Sequence, residues 1–162
     1  MTVISTHRDP EALTLTVVAE FDAPVERVWQ VWEDPRRLER WWGPPTWPAT
    51  FERLELTPGG SASYYMTGPE GEKAAGWWRI RSVDAPTSLS FEDGFADADG
   101  TPSPDLPTTL TTVTLEPVAT TGTRMTSVTS FGSLEELERL VAMGMEEGLR
   151  LAMGQIDALL EG

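Results

Sequence analysis

The segment from 134 to 160 most constrains what this chain can fold into. Ser133-Leu134-Glu135-Glu136 is a capping-box pattern, in which Ser and Glu side chains satisfy amides left open at a helix start. Beyond it Leu137, Leu140, Val141, Met145, Leu149, Ala152, Met153, Ile156 and Leu160 form a wide apolar band at helical spacing. A helix over 134–160 spans ~40 Å at ~1.5 Å per residue, and so long an apolar face needs a sheet to lie along. Gly144, Gly148 and Gly154 interrupt the band at ~1 kcal/mol each relative to Ala. Two explanations stand open. Either the sheet approaches closely there, or the glycines leave room beside the helix, with Met143, Met145 and Met153 as adaptable walls.

The sheet is written in the rest of the chain. Leu13, Leu15, Val17, Ala19 and Phe21 recur at period two, which predicts a strand over 11–21 with one buried face. The period then changes. Pro24 followed by Val25, Val28, Trp29 and Trp32 predicts a short amphipathic helix, and Asp34-Pro35 opens a second carrying Leu38, Trp41 and Trp42. Gly43-Pro44-Pro45 stops it. Strands follow near 49–56, 61–67, 74–84, 87–94, 108–117 and 122–131, separated by turn-forming segments and by an acidic loop at 95–107. Eleven threonines between 101 and 130 favour the last two strands. Residues 1–10 are expected as a flexible arm of a single domain covering 1–162. The pattern is α+β: a curved antiparallel sheet of six to seven strands wrapped around a long C-terminal helix, with two short helices after the first strand.

Composition removes whole classes of function. With 12 basic and 26 acidic side chains the net charge is −14, which disfavours nucleic acid and anionic membrane surfaces. No cysteine is present, so disulfides, thiolate nucleophiles and zinc-thiolate sites are excluded. No run reaches the ~18 apolar residues of a membrane span, and a cytoplasmic protein is expected. Seven tryptophans, five of them between Trp29 and Trp47, must form core or the wall of a site.

Several of these segments resemble a known family. Phe21-Asp22-Ala23-Pro24-Val25-Glu26-Arg27-Val28-Trp29, Arg40-Trp41-Trp42-Gly43-Pro44, Pro58-Gly59-Gly60 and Val83-Asp84-Ala85-Pro86 with Leu89 and Phe91 are similar to the SRPBCC superfamily. Within it they resemble the branch named after activators of the heat-shock protein 90 ATPase. The ending from Gly148 through Leu160 also resembles that branch, where a Trp commonly stands at the position of Leu149. The resemblance runs from about residue 13 to 160 and implies a helix-grip fold with a cavity between sheet and C-terminal helix. In the superfamily such cavities hold lipids, hormones, polyketides or aromatic compounds; the branch includes co-chaperone domains. The loop from Gly94 to Pro107 is longer than the branch norm and is placed to cover or reshape the cavity mouth.

No catalytic set is recognisable. The single histidine, His7, precedes the first strand, so His-ligated metal clusters are excluded and a Ser-His-Asp triad would need that arm to fold back. Asp93, Asp97, Asp99, Gly100 and Asp105 invite a calcium loop, but alignment to the EF-hand leaves Phe95 and Leu106 where carboxylates should stand. A solvated acidic loop is the simpler reading. Glu92 with Asp93, or Glu52 with Glu55, would serve acid/base chemistry only if one faced the cavity with a raised pKa. Arg36, Arg37 and Arg40 pair at helical spacing with Glu33 and Glu39 or else meet an anion or a partner. Trp29 and Trp32 belong to the core by periodicity. Of Trp41-Trp42 one member is expected to pack inward while the other faces the cavity mouth or solvent; of Trp77-Trp78 one lies on the outer face unless covered, and a partner surface is a possible cover.

The expected function is binding of a small hydrophobic ligand, of lipid, polyketide or aromatic type, lined by Trp42, Tyr64, Met66, Trp78, Phe91, Met125, Met145 and Leu149. Two alternatives remain. One is a co-chaperone-like module contacting a chaperone or other protein through the outer sheet face or the Arg36 to Trp42 segment. The other is a cyclase, aromatase or hydrolase using cavity carboxylates or Tyr64 and Tyr65. No cofactor or metal, no nucleic acid and no membrane insertion are expected, and a monomer or homodimer is.

Overall fold

A computed structural model describes residues 3–97, 99–103 and 106–160. Eight strands form one antiparallel sheet: β1 Val3–Asp9, β2 Thr14–Phe21, β3 Ala49–Leu54, β4 Ser61–Thr67, β5 Lys73–Asp84, β6 Ser88–Ala96, β7 Thr109–Val118 and β8 Gly122–Ser130. Their order is β1-β2-β8-β7-β6-β5-β4-β3. From β3 to β8 each strand pairs with the next, through short polar turns except for the longer 97–108 connection between β6 and β7, and β8 closes back on β2. Helices α1 Val25–Glu33 and α2 Pro35–Trp42 carry the chain from β2 to the far edge, where α2 packs on β3.

The strand count exceeds the expected six to seven because residues 3–9 form a strand where a flexible arm was expected. They pair with β2 from Val3 opposite Ala19 to Asp9 opposite Thr14. Asp9 makes the turn by accepting the N–H groups of Glu11 and Ala12, each at 3.0 Å. Leu13, expected as the first residue of the strand's buried face, instead takes a positive φ of 58° in that turn. β2 therefore starts at Thr14, three residues after the expected start, and Leu15, Val17, Ala19 and Phe21 keep the predicted inward face.

The helix starts follow their capping residues. Asp34 accepts the Arg36 N–H at 2.9 Å, and Pro35 occupies the first turn of α2. Ser133 accepts the Glu136 N–H at 3.2 Å, while the Glu136 carboxylate reaches past the cap to the Gly132 N–H at 3.1 Å. The C-terminal helix, however, is not continuous. It is divided into α3 Leu134–Ala142, α4 Met145–Met153 and α5 Ile156–Leu160. Gly144 breaks it with φ +93°, a left-handed conformation in which an L side chain meets its own backbone. Because the helix turns there, α4 packs on β1, β2 and α2 while α5 reaches α1. Gln155, at the second break, donates to the Trp41 and Gly43 carbonyls at 3.3 and 2.7 Å, closing the open end of α2.

A Cβ at Gly144 or at Gly148 would meet open space, so close approach of the sheet does not account for either glycine. The two should respond oppositely to alanine. Gly144→Ala is expected to cost about 1–2 kcal/mol through its positive φ, whereas Gly148→Ala, inside α4, is expected to stabilise by about 0.5–1 kcal/mol. Guanidinium unfolding of both variants measures the difference, and destabilisation by both would contradict it.

Among the described residues no helix is long and apolar enough to cross a membrane.

Candidate ligand cavity

The interior is filled from one side by rings. Trp32 of α1, 1% exposed, lies 4.7 Å from Trp41 and within about 6.3 Å of Trp42, Trp78 and Phe91, centroid to centroid. Trp78 and Phe91 stack at 4.1 Å. Trp32 Nε1 donates to Met125 Sδ at 3.3 Å, and Trp41 Nε1 donates to the Val31 carbonyl at 2.8 Å. Trp29 and Trp32 are core as expected. Trp41 is fully buried too, and Trp42 turns toward the remaining space.

This packing corrects three expected lining residues. Trp78, Phe91 and Met125 do face inward, at 1%, 0% and 0% exposure, but the tryptophans of α1 and α2 seal them off. The open volume, about 280 Å³, lies further along the strands, against the α3–α4 junction. Trp42, Tyr64, Met66, Met145 and Leu149 line it. The glycine break admits it: Gly144 and Gly148 lie on its helical wall beside Leu140 and Met143. Met153, expected as a wall, is fully buried core. Phe95 and Pro107, where the acidic loop leaves and rejoins the sheet, complete the rim. That loop is tied down by Ser103, whose N–H donates to the Phe95 carbonyl at 2.9 Å and whose hydroxyl donates to Asp97 at 2.9 Å. Ala98, Pro104 and Asp105 lie outside the described residues.

The polar part of the cavity is Tyr64 with Asp93. On β6 the inward row reads Leu89, Phe91, Asp93, Phe95, so a carboxyl takes a position that periodicity assigns to an apolar side chain. Tyr64 Oη donates to Asp93 Oδ1 at 3.1 Å. Gly76, directly across from Tyr64 on β5, makes this possible, since a Cβ there would sit 2.4 Å from the phenol oxygen. Burial raises the Asp93 carboxyl to about 7, partly offset by the Tyr64 hydroxyl and the Gly94 N–H. Burial first, and the Asp93 charge second, hold the Tyr64 phenol well above its ordinary range. The indole N–H groups of Trp42 and Trp78 oppose that shift, yet neither makes a hydrogen bond of ordinary geometry.

Asp93 belongs to the site and was absent from the expected lining; the parity of β6 was the signal that could have found it. The other carboxylates considered do not converge. Glu92 pairs with Arg81, Glu55 pairs with Arg53 at 3.1 Å, and Glu52 is exposed. Tyr65 points to the outer face, with Lys73 Nζ 4.4 Å above its ring. His7 is exposed on β1, opposite Thr16. Among the described residues no group of three or more His, Asp or Glu side chains is disposed to hold a metal ion.

The surfaces considered for a partner are largely spoken for. Arg36 donates to the Phe51 carbonyl at 3.0 Å and approaches Glu39 at 3.5 Å; Arg37 reaches Gln30 at 2.7 Å and Asp34 at 3.7 Å. Trp77 lies on the outer face and is covered from within the chain: it folds over Gly94 and donates to the Phe95 carbonyl at 3.0 Å. Trp47 packs against Gly68 in the same manner.

Residues 22–161 match the family described as Activator of Hsp90 ATPase homolog 1-like protein. The chain belongs to this family. Several solved structures share its fold. A protein from Arthrobacter aurescens is 57% identical, with a TM-score of 0.95 over 99% of this chain and 92% of its own. One from Mycobacterium smegmatis is 50% identical, with a TM-score of 0.90 over 98% and 96%. A protein in the dynemicin biosynthetic locus, 21% identical, shares the fold at a TM-score of 0.67 over 92% of this chain and 47% of that one. No curated protein matches the chain. The helix-grip architecture expected from the sequence is thus that of an SRPBCC protein of this branch.

Proposed function

We propose that this chain binds a small, largely apolar molecule in the cavity between β4, β6 and the α3–α4 junction. One observation carries the reading: an open space of about 280 Å³ whose wall is aromatic and aliphatic except for the Tyr64 hydroxyl beside the Asp93 carboxyl and the Thr109 hydroxyl of β7. That is the usual composition of a small-molecule site, at the small end of the size range. Shape and apolar burial supply affinity, and Tyr64 with Asp93 orients one polar group of the ligand. The co-chaperone alternative draws support from the family's description, but the 36–42 segment it would use spends Arg36 and Arg37 on its own chain and buries Trp41 and Trp42.

A thermal-shift and native mass spectrometry screen against fatty acids, sterols and small aromatic compounds tests the proposal. A ligand at a hundredfold excess over its Kd stabilises by about 2.7 kcal/mol, which raises Tm by roughly 5–10 °C for a domain of this size. Leu149→Trp, which fills the cavity from α4, is expected to abolish both the shift and the bound mass. No shift with any class, or an unchanged shift in Leu149→Trp, would overturn the reading.

A further inference from the structure

Among the described residues the cavity's one carboxyl has no counter-cation. Its walls come from β4, β6, the start of β7 and the approach to it, the end of α2 and its following turn, and helices α3 and α4. Across the described residues of all of these the lining includes no Lys, Arg or His, and Tyr64 is the only other titratable side chain. A carboxylate held in an apolar space without a paired charge is costly, and the molecule that best relieves the cost brings a positive charge of its own. The rings around Asp93 favour the same occupant. Trp42, Tyr64 and Phe95 line the space, and aromatic faces attract cations through their quadrupoles. At long range the net charge of −14 concentrates cations and repels anions.

We propose that the ligand is a small organic amine with an apolar body, its ammonium group held by Asp93 and Tyr64 and its body lying against Trp42, Met66 and Leu149. This inference rests on the cavity-binding reading above and specifies its ligand class. Because burial raises the Asp93 carboxyl to about 7, amine affinity climbs about tenfold per pH unit well below 7 and levels above it. An ammonium ligand lowers that value, since opposite charge favours the ionised carboxyl. Tyr64 keeps its proton across this range and donates to the Asp93 carboxylate once that group ionises.

Phenethylamine, 2-phenylethanol and 3-phenylpropanoate share a phenyl body and a short chain and differ in the charge of the end group. Titrated into the full chain at pH 8 with tryptophan fluorescence as readout, phenethylamine is expected to bind at least ~10-fold more tightly than the alcohol, the scale of a charge-assisted hydrogen bond, with the carboxylate weakest. Asp93→Asn is expected to erase the amine's advantage over the alcohol, because the asparagine amide offers no charge to the ammonium group. A neutral or anionic probe binding as tightly as the amine overturns the amine inference, as does an Asp93→Asn protein that keeps the preference. If a fatty acid or sterol binds and none of the three phenyl probes does, the amine inference fails and the cavity reading stands. If Leu149→Trp binds every ligand as well as the native chain, the cavity reading fails with it.

Discussion

Trp32→Ala is expected to lose about 3–5 kcal/mol of stability, the range for removing a buried aromatic side chain. The loss has two parts. The ring leaves the protein interior, and a hole opens among Trp41, Trp42, Trp78 and Phe91, large rings drawn from α2, β5 and β6 that cannot all move inward together. Met125 Sδ also loses its N–H donor, a smaller effect for so weak an acceptor. At about 2–4 °C per kcal/mol for a chain of this size, Tm falls by roughly 6–20 °C. Trp47→Ala provides the contrast. Its ring is half-buried over Gly68, outside the ring cluster, and its removal is expected to cost on the order of 1 kcal/mol. Calorimetry on both variants decides the matter: equal losses would mean that the cluster around Trp32 collapses freely and is not the rigid side of the cavity.

Asp93→Asn is expected to stabilise the ligand-free protein above pH 7 and to leave it unchanged near pH 4. The sign follows from the two states. In the folded chain burial raises the carboxyl to about 7, and in the unfolded chain it returns to its ordinary value of 3.8. Between these values the folded state binds more protons, so the native chain loses stability as pH rises through that window, with the full penalty present above 7. Asparagine carries no such penalty. A shift of this size corresponds to a ceiling of about 4 kcal/mol, and water reaching the cavity reduces it to about half. Urea unfolding of both proteins from pH 4 to pH 8 should give curves that meet at the acid end and diverge toward neutrality. Parallel curves would show that Asp93 ionises as freely folded as unfolded. Stability and amine binding then move in opposite directions at this residue, as expected where a site is held in a strained electrostatic state for its ligand.

Much of this arrangement was legible in the residues. The turn-forming segments placed six strands to within one or two residues, and Asp34, Pro35 and Ser133 marked the helix starts because capping is local chemistry. Residues 3–9 were missed because His7, Arg8 and Asp9 make an edge strand look like a tail, and only pairing with β2 gives it order. The strand residues chosen for the cavity, Tyr64, Met66, Trp78, Phe91 and Met125, all lie on the inward face. Three of them nevertheless sit too deep, and Asp93, one step along the same row from Phe91, lies at the open end.

What the sequence determined by itself was therefore order and face: which segments become strands, where helices begin, and which side of each strand turns inward. These follow from backbone periodicity and capping, which depend on residues a few positions apart. Depth along the inward face was decided only by the tertiary structure. It depends on how much volume Trp32 and Trp41 deliver from other elements and on where the positive φ of Gly144 turns the chain between α3 and α4. The same holds for the carboxyl of Asp93, since desolvation sums over every group packed around it and no local pattern encodes that sum.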